Sequence, residues 1–94
     1  MILNVMEHHV VEAIDRLKSS VPGFIDTPEH REDVVVFALN RLPPKYVVSD
    51  AGKAVTEAAL DAPQQRTAID IQVIEALRQV TRYPRGSGGR PREP

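Results

Sequence analysis

The stretch from Thr27 to Asp50, "TPEHREDVVVFALNRLPPKYVVSD", decides how the chain is read. Thr27 can cap a helix, Pro28 suits its first position, and Glu29, Glu32 and Asp33 sit near the positive end of its dipole. The run Val34-Val35-Val36-Phe37 would also suit a buried strand. The start signals upstream and the continuation through Ala38 and Leu39 predict a helix instead, running to Leu42 and stopped by Pro43-Pro44. A run with so little polar face predicts the central, most buried helix of the molecule.

Working outward, "NVMEHHVVEAIDRLKSS" places Met6, Val10, Ala13, Ile14 and Leu17 at helical spacing, with Asn4 and Glu7 in capping-box positions and Pro22-Gly23 as the stop. Downstream, Ser49 or Asp50 can cap a weaker helix through "GKAVTEAAL", and Pro63 separates it from a last helix through "QQRTAIDIQVIEALRQVTRY". Ile69, Val73, Ala76, Leu77 and Val80 form one stripe of that helix, and Ile71 and Ile74 fall off it, which predicts a second apolar face for another subunit or protein. The expected fold is all-α, a small domain of four to five helices over residues 1–83. Residues 84–94, "PRGSGGRPREP", are expected to be a disordered tail.

Ninety-four residues suit one domain, which buries about 60–65% of its unfolded surface, so association with a second copy would help its stability. The net charge is −1, divided into a tail of +2 and a body of −3. That balance disfavours DNA as a partner, because affinity for nucleic acid rests on neutralising phosphates. With no cysteine, disulfides and thiolate metal sites are excluded. The N-terminal segment carries charges from Glu7 onward, so neither a signal peptide nor a membrane partner is expected, and the cytoplasm is the expected location.

Chemistry-bearing residues are few. His8 and Glu12 share an i, i+4 spacing, but neither His9 nor His30 is brought to them by the pattern, so no metal and no cofactor is expected. Arg78 and Arg82 form an R-x-x-x-R pair that could grip a phosphate, with Arg66 upstream on the same helix; solvation of a surface is the simpler reading. "GSGG" follows no strand and opens no helix, so it is not a phosphate loop. No nucleophile–base or acid-pair pattern stands out, and an enzyme is not expected. The Pro43-Pro44 turn is the strongest candidate site. It can hold Arg41, Lys45 and Tyr46 rigidly as guanidinium, ammonium and stacking ring. In the structural alternative, the prolines end a helix while Tyr46 and Val47 fill the core.

Three blocks, "NVMEHHVVEAID", "DVVVFALNRLPPKYVVS" and "DIQVIEALRQV", resemble the ComFB (late competence development protein) family. The most specific part is Asp33, Val34, Ala38 to Asn40, Leu42 to Pro44, Tyr46 and Val47. The resemblance implies a helical, dimer-forming, non-enzymatic protein, and some relatives are receptors for cyclic di-GMP. With that ligand in view, the expected contacts are Arg31, Asn40, Arg41, Lys45, Tyr46 and Arg66, with a protein partner receiving the signal. Many members carry a zinc-binding Cys-x-Cys-x-x-Cys cluster before the specific block. The corresponding stretch here, "IDTPEH" from Ile25 to His30, has none, so the Thr27-Pro28 helix start is expected to organise this loop in place of a metal.

Overall fold

In a computed structural model that describes residues 2–83, the elements run β1 (Leu3–Asn4), α1 (Val5–Leu17), a 3-10 turn (Lys18–Ser20), α2 (Pro28–Leu39), β2 (Tyr46–Val47), α3 (Asp50–Leu60) and α4 (Pro63–Arg82). The fold is therefore all-α, as the periodicities predict, with one addition. Leu3 pairs with Val47 and Asn4 with Tyr46 in a short antiparallel ribbon. The tail expected at 84–94 lies outside the described residues.

The first three helices each start at a side-chain cap. Asn4 Oδ1 accepts from the Met6 amide (3.2 Å), Thr27 Oγ1 from the His30 amide (3.1 Å) and Ser49 Oγ from the Gly52 amide (3.1 Å). Pro63 does more than separate α3 from α4, because it occupies the first turn of α4, where its missing N–H costs nothing. At the other end of α1, Gly23 takes a φ of +92°, and a Cβ there would lie 3.3 Å from the Thr81 methyl carbon. The loop after α1 is thereby brought against the last turn of α4.

The core lies where α1, α2 and α4 meet. α1 contributes Val5, Met6, Val10, Ala13 and Ile14, and α4 contributes the whole predicted stripe of Ile69, Val73, Ala76, Leu77 and Val80. The expectation for α2 needs correction, since only Val34 and Ala38 of that helix are fully buried and Val36 is 54% exposed. At about 100° per residue a continuous apolar run wraps around the helix, so Val36 points away from the side that Val34 buries. α2 also ends at Leu39, three residues earlier than expected, and Leu42 folds back into the core. Off the stripe of α4, Ile74 packs against the core while Ile71 remains 58% exposed. The second apolar face is thus smaller than the pattern implies. No described helix is long and apolar enough to cross a membrane.

Candidate functional site

After Leu39 the chain makes a tight turn, with the Arg41 amide bonded to the Ala38 carbonyl (3.0 Å) and the Leu42 amide to that of Leu39 (3.4 Å). Pro43 and Pro44 then fix φ and direct the backbone into an extended strand. That strand is locked to the start of α1. The Lys45 amide donates to Asn4 Oδ1 (3.0 Å), and the Val5 amide donates to the Lys45 carbonyl (2.8 Å). Asn4 Oδ1 therefore serves two amides at once, Met6 within its own helix and Lys45 across 41 residues of sequence. Both lone pairs of that oxygen are in use.

This backbone frame presents Arg41, Lys45 and Tyr46 from a short rigid segment. The Arg41 guanidinium lies 3.7 Å from the centre of the Phe37 ring and donates from Nη1 to the Phe37 carbonyl (3.3 Å). A cation held over an aromatic face keeps most of its N–H donors available. Lys45 is half-buried and Asn40 forms the C-cap of α2. Tyr46 is 64% exposed, which overturns the idea that its ring fills the core; Val47, on the other face of the strand, packs there. The alternation is that of any strand, one residue in and the next out.

The other expected contacts lie elsewhere. Arg31 is held at the start of α2, roughly 12 Å of helix before Leu39 at 1.5 Å per residue, and Arg41 follows in the turn beyond. Its Nη2 reaches Asp15 (2.6 Å) and Asp26 (2.9 Å), its Nε reaches Asp26 (3.0 Å), and Lys18 Nζ completes a clasp on Asp26 (2.6 Å). Hydrogen bonds from Arg31 and Lys18 hold the Asp26 carboxyl well below the usual carboxylate range. Asp26 and then Asp15 raise Arg31 above its ordinary value. In the same loop Thr27 Oγ1 accepts from the His30 amide, and the His30 Nδ1–H donates to the Ile25 carbonyl (2.7 Å). Sequence spacing did not reveal the clasp, because Asp15 and Asp26 are brought together only by the packing of α1 against the loop.

Arg66 lies in a small cleft of about 50 Å³ with His9, Glu12, Arg16, Asp61 and Asp70. Arg16 and Asp70 pair through two parallel bonds of 3.0 Å, which raise the Arg16 pKa, and His9 Nε2 is buried there without a protein partner. His8 stands 3.7 Å from Glu12 one turn along α1. Among the described residues, no three potential metal ligands gather. Asn40, Arg41, Lys45 and Tyr46 thus share one segment, while Arg31 and Arg66 belong to two other places.

This architecture agrees with known proteins. The family model for late competence development protein ComFB matches residues 3–84. The solved structure of the late competence protein ComFB from Bacillus subtilis is similar over 99% of this chain and 100% of that chain, with a TM-score of 0.82 and 26% identity. No curated protein matches the chain. With a family match from the ribbon through the end of α4, the chain belongs to the late competence development protein ComFB family.

Proposed function

We propose that this protein is a non-enzymatic regulatory receptor that binds cyclic di-GMP at the Pro43-Pro44 turn and signals to a protein partner in the cytoplasm, acting as a homodimer. The observation that carries this reading is the frame around Asn4. Two prolines and two long-range hydrogen bonds within the chain pre-order Arg41, Lys45 and Tyr46 before any ligand arrives. Pre-ordering reduces the entropy that binding must offset. A guanidinium suits a phosphate or the acceptor edge of guanine, an ammonium suits charge, and an exposed ring suits stacking on a base.

Calorimetric titration with cyclic di-GMP tests the proposal. Saturable heat is expected, and Arg41→Ala should weaken binding by about 1–3 kcal/mol. An absence of heat and of thermal shift at tens of micromolar ligand would reject it. The exposure of Ile71 supports a second reading, a ligand-free adaptor that docks a protein through α4. Capture of the same partner in equal amount with and without nucleotide would favour that role.

A further inference from the structure

The end of α4 and the turn after α1 border an open cleft of about 360 Å³, lined by Ser20, Val21, Pro22, Arg78, Thr81 and Arg82. Its lining sets it apart electrostatically. The cleft beside His9 includes Glu12, Asp61 and Asp70, and those beside Leu3 include Glu7 or Asp50, whereas no carboxylate lines this one. Arg78 and Arg82 stand one helical turn apart on the same face, about 6 Å between Cβ atoms. Neither takes part in the ion pairs found among the described residues, which engage Arg16, Lys18 and Arg31.

Two helix ends meet at this cleft, and each brings a negative partial charge of about half a unit at most. Two guanidiniums outweigh them. Some of that carbonyl charge is also engaged, since Thr81 Oγ1 donates to the Leu77 carbonyl (2.7 Å) and the Tyr83 amide to that of Gln79 (2.9 Å). Among the described residues from 78 to 83, Arg78 and Arg82 are the charged side chains and both are cations, and a local excess of one sign draws anions.

We infer that the cleft between Arg78, Arg82 and Ser20 is a phosphate-binding site separate from the Pro43-Pro44 turn. The two guanidinium forks take the non-bridging oxygens of a phosphate group, and the Ser20 hydroxyl donates a further bond from the opposite wall. The apolar edge of Val21 and Pro22 lies beside that group, where a sugar or base attached to it would rest. The same phosphate chemistry is offered by a small phosphorylated molecule and by a single-stranded nucleic acid.

Two probes distinguish those sources with the full chain: inorganic pyrophosphate and a fifteen-nucleotide single-stranded oligothymidylate, each titrated while the Ser20 and Thr81 amide resonances are followed. Both resonances are expected to move, and the double variant Arg78→Gln/Arg82→Gln is expected to bind at least tenfold more weakly. Its melting temperature should be unchanged, because both side chains are exposed. If a strand is the natural source, the oligonucleotide will bind more tightly than pyrophosphate. The double variant should then lower the slope of log affinity against log salt by about 0.7, for the one phosphate that is no longer neutralised. Equal affinity for the two probes assigns the site to small phosphorylated molecules. Binding of neither probe at millimolar concentration, or equal binding by wild type and double variant, would overturn the inference. Loss of probe binding in Arg41→Ala but not in the double variant would place the phosphate at the Pro43-Pro44 turn, removing this site and leaving the proposed receptor function intact.

Discussion

The two ends of α2 are fastened by different chemistry. At its start, charged side chains do the fastening: Asp26 receives Lys18 and Arg31, and Arg31 also reaches Asp15. At its far end, the fastening is by backbone amides, one asparagine oxygen and two prolines, and the charged groups there are left outside the ion pairs. Where cations are spent on carboxylates, they stabilise a loop. Where the backbone holds itself, the cations Arg41 and Lys45 remain available for an anionic ligand. The same residue type therefore has opposite meanings at the two ends, and Arg31 and Arg41 should behave differently when replaced.

The comparison is broken most severely at the turn. Leu42→Ala removes a buried side chain that draws the turn onto the core, and about 2–5 kcal/mol of unfolding free energy should be lost in a denaturant titration. Tyr46→Ala, one strand position from the core, should stay within about 0.5 kcal/mol of wild type in the same measurement. A large loss from Tyr46→Ala would mean that its ring packs more closely than its exposure indicates.

Asn4→Ala comes next, because one oxygen serves both the α1 cap and the Lys45 amide. About 1–3 kcal/mol is expected, accompanied by faster hydrogen exchange at Met6 and Lys45. If exchange at Lys45 is unchanged, the prolines alone hold the strand and the frame around Asn4 is not what orders the site.

The smallest effect is expected at the clasp. Its partners are partly exposed, so Asp26→Asn should cost no more than about 1 kcal/mol at neutral pH. Its pH signature is more telling than its size. The folded-state pKa of Asp26 lies below the unfolded value of about 3.9. Its contribution is therefore complete above that value and declines as pH falls toward the lower, folded-state pKa. In Asp26→Asn this part of the acid loss of stability should disappear. Equal pH profiles for variant and wild type would show that the clasp adds nothing in solution. Added salt should narrow the neutral-pH difference as well, since exposed pairs are screened.

How far each region could be read from the sequence follows from the range of its interactions. The α4 stripe and the Thr27 cap depend on neighbours within about four positions and were legible, as was Ser49 as one of two candidate caps, whereas the end of α2 at Leu39, ahead of Pro43-Pro44, was not. The short ribbon was not, although Tyr46-Val47-Val48 is a β-branched and aromatic run, because two paired residues make a strand only when a partner strand arrives from elsewhere. The candidate site was legible in part. Asn40, Arg41, Lys45 and Tyr46 are neighbours in sequence and remain together, whereas grouping Arg31 and Arg66 with them required knowledge of packing that spacing does not contain.

The sequence by itself determined where the helices begin and which face of α1 and α4 is apolar, because capping, proline geometry and helical periodicity are local. Only the tertiary structure decided which charges are spent and which are left over. A guanidinium looks the same in sequence whether it meets a carboxylate 16 residues away, as Arg31 meets Asp15, or lies over its own helix, as Arg41 lies over Phe37. Those pairings depend on the way α1, α2 and α4 come together around one core, and with them the division of this protein into a fastened end and an end with charge to offer.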